Sequence, residues 1–367
     1  MQNPLPVETD WALLSLFSPP SPKWSGLQKA LPVSGGPSNR TTGETEKRFL
    51  VIRHGALGDF FQAFPVFDSL RQAFPGTHIT LLTGSFYQNL ATRSPWFDAV
   101  VTDDRPSFAD WRHLVKMHRL FSTVDRVYDF QNSSRTRHYL RLSRLSRKRP
   151  DWCSAHPGAR WRHATPLRRQ MHTLLRQEEQ LRCAGIPSQP RRVPHWLQPE
   201  VGDKALGRLA APYVVLVPGA AAHRPAKRWP VEHYAALLPL LQKHGLEAIV
   251  VGSTGERKAG HSLAQAAAEL GLPLHDLTGH TSLTGLAGVM RGATLVIGND
   301  TGPLHVAAAM DAPTLTLFSA ESDPRRTAPL SVTPGRSHIL SMPDLNTLRP
   351  ETVITYLEGH LLTEPSR

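Results

Sequence analysis

Long apolar runs are missing from this chain. No stretch of about 18 hydrophobic residues occurs, so no segment has the length to cross a bilayer as a helix. The apolar stretch Ala12–Leu13–Leu14–Ser15–Leu16–Phe17 is far shorter, and it lacks the basic flank and small-residue cleavage site of a secretory leader. Both absences predict a cytoplasmic protein. Cysteine is equally scarce: Cys153 and Cys183 form neither a C-x-x-C pair nor a metal-ligand spacing. Although there are 18 histidines, no H-E-x-x-H or similar cluster occurs, so no metal site is expected.

What the chain does contain is ordinary globular material, 40% apolar and 20% charged, in 367 residues, enough for two domains. The net charge of +12 is unevenly spread. From Arg135 to Arg169 there are eleven Lys or Arg against one acid, Asp151, so that window alone carries +10. Such an excess attracts an anionic partner: nucleic acid, an anionic membrane surface or an acidic glycolipid. A solvated basic connecting region is the alternative.

Residues 1–46 are rich in Pro, Ser, Gly and Thr without periodicity and read as a disordered tail. An N-terminal domain over 47–198 follows. It starts with the strand Arg48–Ile52, continues with a helix over 60–73, and has further strands at 79–82, 99–101 and 126–129. The proline-rich stretch Pro187 to Pro199 reads as an interdomain linker. In a C-terminal domain over 199–367 the alternation restarts, with strands at 213–217, 248–252, 294–297 and 314–318. Helices are expected at 231–245, 256–270, 283–291 and 350–362. Strands alternating with helices imply parallel βαβ units. The expected fold is therefore α/β, two doubly wound Rossmann-like domains facing a central cleft, with ligand at the carboxyl ends of the strands.

Four strand-to-helix loops carry candidate chemistry. In Arg53–His54–Gly55–Ala56–Leu57–Gly58–Asp59, Asp59 either caps a helix or reaches the cleft as a general base. The G-x-x-G spacing there is not a full dinucleotide fingerprint. The second loop runs from Pro218–Gly219 to Lys227–Arg228–Trp229–Pro230. Its Lys227 is either a mobile ammonium suited to a diphosphate or a surface lysine, and Trp229 is a packing residue. In Gly252–Ser253–Thr254–Gly255–Glu256, Glu256 either accepts from ribose hydroxyls or complements the helix dipole. The most informative segment is Gly298–Asn299–Asp300–Thr301–Gly302–Pro303–Leu304–His305. Its proline suits a first helical turn, its glycine allows close approach, and the amino end of the helix is a phosphate cradle.

Taken together, the loops resemble glycosyltransferase family 9, the ADP-heptose:lipopolysaccharide heptosyltransferases. The resemblance covers about residues 48–360 and rests on Asp276–Ala287, Gly298–Ala309, the G-A-L-G-D block at Gly55–Asp59 and K-R-W-P at 227–230. It implies a GT-B architecture and an inverting, metal-independent glycosyltransferase with no cofactor beyond its ADP-sugar donor. Asp59 would be the general base and Lys227 would steady the leaving ADP. Gly219, Glu256, Asp300, Thr301, Gly302 and His305 would hold the donor, with a protonated His305 as one source of positive charge. On the acceptor side, Gly55, Gly58, Arg135 and Arg137 would meet an acidic glycolipid, lipopolysaccharide core or similar, at the inner membrane face. The chain departs from the family at Ala220–Ala221–Ala222, where some members carry hydroxyls, and at Ser319–Pro324, where many have a G-P-T-D-P-like turn. Two alternatives remain open: a nucleic-acid-binding or scaffold protein whose basic window interleaves Tyr139, Trp152 and Trp161 for base stacking, and a GT-B nucleotide-sugar epimerase.

Overall fold

A computed structural model describes residues 47–198 and 212–362. The amino-terminal tail expected over 1–46 and the start of the second domain over 199–211 lie outside the described residues. In the first half the elements are β1 (Arg48–Ile52), α1 (Leu57–Phe61), α2 (Phe64–Ala73), β2 (His78–Thr83), α3 (Gln88–Thr92), β3 (Ala99–Thr102), α4 (Trp111–Thr123), β4 (Arg126–Asp129), α5 (Ser134–Ser143), β5 (Asp151–Ser154), β6 (Trp161–Arg162) and α6 (Thr173–Cys183). The second half comprises β7 (Tyr213–Val217), α7 (Val231–Ala235), α8 (Leu238–Lys243), β8 (Glu247–Val250), α9 (Arg257–Glu269), β9 (Leu274–Asp276), α10 (Leu283–Gly292), β10 (Leu295–Asn299), α11 (Gly302–Ala309), β11 (Thr314–Phe318), α12 (Pro324–Thr327), β12 (Ser337–Ser341) and α13 (Pro350–His360).

Each half folds around its own parallel six-stranded sheet, ordered β3-β2-β1-β4-β5-β6 and β12-β11-β10-β7-β8-β9. Both orders are the doubly wound one, whose direction reverses between β1 and β4 and between β7 and β10. The central strands are buried on both faces, so β1, β7 and β10 are nearly continuous apolar runs. The two-domain α/β expectation is met, and the loops after β1, β7 and β10 leave the sheets at those switch points. Among the described residues no helix is long and apolar enough to cross a membrane.

Several boundaries differ from expectation for identifiable reasons. The helix expected over 60–73 is two helices, because Pro65 sits in the first turn of α2 and cannot continue α1. Pro239 divides the helix expected over 231–245 in the same way. The strands β5, β6, β9 and β12 were not anticipated; β6 has two residues and β9 three, too short for a periodic signal. Because β5 and β6 extend the first sheet, the basic window is a built part of that sheet rather than a connecting region.

The halves are tightly joined. One apolar cluster runs from Phe49 and Phe60 through Leu197 to Val215 and Leu304. The stretch expected as a linker lies packed between them: Gln189 N–H donates to Ser69 Oγ at 3.0 Å, and the Arg191 guanidinium donates to Leu330 O at 3.1 Å. At the joint α1 meets α11. A Cβ on Gly58 would collide with the His305 ring, and one on Gly302 would lie 2.9 Å from Leu57 Cβ. The absence of side chains at these two positions lets the helix starts touch.

His172 straps the halves from another side. Its Nε2–H donates to Ala328 O at 2.9 Å, and its Nδ1 accepts from Leu174 N–H at 3.2 Å. Both ring nitrogens are thus used by the neutral form. Burial pushes its pKa from the ordinary 6.5 down to about 4.

Two predictions follow from this joint. Gly58→Ala should destabilise the protein by about 1–3 kcal/mol, the usual cost of overpacking; an unchanged thermal midpoint would contradict the contact. For His172 the folded pKa lies below the unfolded one, so the unfolded chain binds the extra proton first as pH falls. Stability is lost between about pH 6.5 and 4, approaching about 3 kcal/mol, and levels off below. The difference in thermal midpoint between the wild type and His172→Gln should therefore narrow across that window.

Candidate active site

The loop after β1 is shaped by Gly55, whose φ of +112° favours glycine and whose position lies against Tyr87. Tyr87 stacks on Phe60 at 4.4 Å, and burial pushes its phenol up to about 12. The helix then starts at Leu57, earlier than expected, with Ala56 as N-cap and no side-chain cap. Asp59 is the third helical residue and caps nothing. Its half-exposed carboxylate pairs with Arg53 at 3.1 Å. The buried Arg53 also donates to Asp59 O at 2.8 Å and Phe130 O at 2.6 Å, tying α1 to the ends of β1 and β4.

Across the joint, the turn after β10 places Asp300, Thr301 and Gly302 at the start of α11. Thr301 is the N-cap, without a side-chain cap, and Pro303 lies in the first turn. Lys227 Nζ donates to Asp300 Oδ2 at 2.5 Å, and Ser322 Oγ–H donates to the same oxygen at 2.6 Å. Both charged side chains are largely buried, so Lys227 is a site residue and not a surface lysine. Asn299, wholly buried, organises this side. Its Oδ1 accepts from Trp229 N–H at 3.0 Å and Tyr234 O–H at 3.0 Å, while its Nδ2 donates to Pro218 O at 2.8 Å. Trp229 packs in the core, as expected of it.

Glu256 serves as a helix cap: its Oε2 accepts from Ser253 N–H at 2.6 Å. The same carboxylate lies over Gly219, close enough that a Cβ there would strike Oε1. The second and third loops therefore meet, and Gly219 and Glu256 face each other.

His305 sits between the two sides. Its Nδ1 meets Gln62 Nε2 at 3.0 Å. Burial pushes its pKa below the ordinary 6.5 and Lys227 adds to this, against the opposing carboxylates Asp300 and Asp59. Burial thus favours the neutral ring over the protonated His305 of the sequence expectation.

The basic residues divide. Arg135 is engaged internally, donating to Pro106 O at 2.5 Å and Tyr139 Oη at 2.9 Å over the Phe108 ring. Beside it, buried Asp103 accepts from Tyr139 O–H at 2.6 Å and pairs with His54 at 2.9 Å. Burial alone would raise the Asp103 carboxyl, but these partners hold it well below the usual carboxylate range. Arg135 thus braces the loop after β3, and Arg137 is exposed on α5. Tyr139 and Trp152 are core residues and Trp161 is half-buried beneath Arg126 and Arg160, which removes the stacking platform expected for nucleic acid. Closer to Asp59 the sequence reading missed a cluster. Arg176 on α6 is still cationic, but burial pushes it down to about 10, with Arg168 and Arg53 acting in the same direction. Asp59 opposes that shift, and Arg326, from the other half, adds to it.

Other residues missed from sequence are Arg53, Gln62, Asn299 and Ser322. Arg53, Asn299 and Ser322 lie within segments already singled out, without a role given to them, whereas Gln62 falls at a helix break that the periodicity hides.

The pairing at Lys227 is testable. Lys227→Met strands a buried carboxylate and should cost about 3 kcal/mol, the lower end for breaking a buried pair. Adding Asp300→Asn should recover much of that loss in a double-mutant cycle; strictly additive effects would argue against the pair.

The family model described as glycosyltransferase family 9 (heptosyltransferase) matches residues 165–351. Lipooligosaccharide heptosyltransferase 2 of Haemophilus influenzae is 36% identical over 121 residues, 33% of this chain and 34% of that protein, so the match spans about a third of that relative's length. Lipopolysaccharide heptosyltransferase 1 of Escherichia coli is 24% identical over 292 residues, 74% of this chain and 87% of that protein. The solved structure of the E. coli ADP-heptose LPS heptosyltransferase II superposes with a TM-score of 0.65 at 21% identity, covering 86% of this chain and 98% of that one, a likeness of fold.

Proposed function

The chain belongs to glycosyltransferase family 9, and from that premise we propose that it is an inverting, metal-independent heptosyltransferase acting on an ADP-sugar and a lipopolysaccharide core or similar acidic glycolipid. The observation that carries the reading is the convergence at the joint. The half-exposed, Arg53-paired carboxylate of one half, Asp59, and the Lys227–Asp300 pair of the other act on one imidazole, His305, where two helix starts touch.

In this reading the acceptor hydroxyl lies against Asp59, which takes its proton as the oxygen bonds to the anomeric carbon. Attack from the face opposite the diphosphate inverts that carbon. The bond to the diphosphate breaks, and its electron pair leaves with ADP. Lys227 has two further N–H donors beyond the one given to Asp300, and these meet the departing charge together with the amino end of α11. Asp300 and Ser322 aim the ammonium. His305 contributes a neutral N–H rather than a second positive charge. Gly219 offers backbone at the donor pocket, where the alanines 220–222 supply no hydroxyl, and Glu256 stands beside it near the ribose.

Arg53, paired with Asp59, and Arg176, which feels Asp59 together with Arg53, Arg168 and Arg326, support an anionic acceptor, phosphorylated or carboxylated. Arg137 and the exposed basic residues between β5 and α6 would face the anionic inner surface of the membrane from the cytoplasmic side.

With ADP-heptose and a Kdo-containing acceptor, the purified protein should release ADP. Asp59→Asn should keep ADP binding and lower turnover by about 10²–10⁴-fold, the range for a general base. Undiminished turnover in that variant removes Asp59 from the role, and binding of ADP without turnover of any ADP-sugar removes the transferase reading.

A further inference from the structure

Gln62 lies at the break between α1 and α2, on the amino-terminal half, and is nearly buried. Its side-chain amide crosses to the other half and meets His305 Nδ1 at 3.0 Å. The remaining surroundings of the ring restrict it further. Its Cδ2 edge is pressed against Gly58, where any Cβ would collide, and its Nε2 would lie 3.1 Å from that Cβ. The imidazole is thus wedged edgewise onto the first turn of α1, with one nitrogen held by Gln62 and the other on the Gly58 side.

We infer that Gln62 is a positioning residue: by donating Nε2–H to His305 Nδ1 it fixes the ring as the neutral tautomer protonated on Nε2 and leaves that N–H, on the Gly58 side of the joint, as the ring's one donor. The reasoning is one of donor and acceptor inventory. An amide NH₂ can only donate, so the nitrogen it meets must carry a lone pair, and the single proton of a neutral ring is then on the other nitrogen. A group that sets which ring nitrogen carries the proton also sets whether the histidine can donate to a leaving oxygen.

The arrangement has a consequence that a bond within one half would lack. Gln62 and His305 are 243 residues apart and belong to different sheets. The ring is therefore set correctly only where the two halves are in contact.

The charged and titratable groups around the ring are Asp59 on α1, Asp300 before α11, Lys227 from the loop after β7, His172 at the start of α6, and Arg191 and Arg192, which line the same cavity as His305 and Gln62. The two carboxylates favour protonation, and Lys227 opposes it. A neutral amide at Nδ1 leaves that balance unaltered, whereas a carboxylate in its place would add a third negative charge and recruit a proton to Nδ1.

The experiment compares the wild type with Gln62→Glu and Gln62→Met. On the full chain labelled with ¹⁵N-histidine, with His305→Gln used for assignment, the His305 Nδ1 shift should be that of an unprotonated nitrogen in the wild type. In Gln62→Glu it should move to the protonated value, and the ring should titrate at higher pH. Gln62→Met keeps the length without the donor and should give an averaged, exchanging ring. The kinetic arm rests on the proposed transfer reaction: kcat should fall about 10–100-fold in Gln62→Glu, as for other partners that orient a functional histidine, with the donor KM changed far less. The acid limb of the pH profile should shift upward. A protonated Nδ1 in the wild type overturns the inference, as does a Gln62→Glu protein whose His305 shifts match those of the wild type. Unchanged kcat and pH profile in both folded variants overturn it too. The spectroscopic arm needs no substrate, so a failure of the transferase reading leaves it decisive.

Discussion

The contact on which the rest depends is the apposition of two helix starts across two sheets. Gly58 and Gly302 have no side chain to hold α1 and α11 apart, so the His305 ring and the Leu57 side chain fill the interval. Larger residues at either glycine would separate the loops that carry Asp59 and Asp300, because each is one residue from the contact or two. The apolar cluster shared by both halves and the His172 strap stiffen the same arrangement from behind. Neither sheet could assemble the site by itself, since each contributes one kind of chemistry.

That chemistry is a separation of charge roles. The amino-terminal half presents a carboxylate held by Arg53 and within the electrostatic reach of Arg176, an environment suited to an acidic acceptor. The carboxyl-terminal half presents an ammonium held by Asp300 and Ser322 beside a helix amino end, an environment suited to a diphosphate. A neutral histidine between them keeps the carboxylate of one side from being matched by a second full charge from the other. Burial favours the neutral form of His305, so the packing of the joint bears on the electrostatics of the site.

Much of this was legible locally. The alternation of apolar strands with helices, and the polar loops Gly55–Asp59 and Asp300–His305, announced both the doubly wound halves and where their ligand edges lie. Lys227 and Asp300 were legible as candidates, one in K-R-W-P and the other in the turn after β10. Less visible were the elements that carry little periodic signal. The two-residue β6 and three-residue β9 bury too little to leave a pattern, and the prolines at 65 and 239 break helices whose apolar spacing continues unbroken. The basic window misled for a related reason. A count of charges does not distinguish Arg135, spent on Pro106 and Tyr139, from Arg137, which is exposed, or reveal that Tyr139 and Trp152 point into the core.

By itself the chain determined its central strands β1, β7 and β10, the residue types at their ends and the turns that follow them, because those depend on neighbours a few positions away. Only the tertiary structure decided that Lys227 pairs with Asp300 at a separation of 73 residues, that Arg53 holds Asp59, and that Gln62 reaches His305 from the opposite sheet. Protonation was decided there as well. The charge of a buried imidazole follows from the water it loses and the groups it meets in space, and neither is written in the residues beside it.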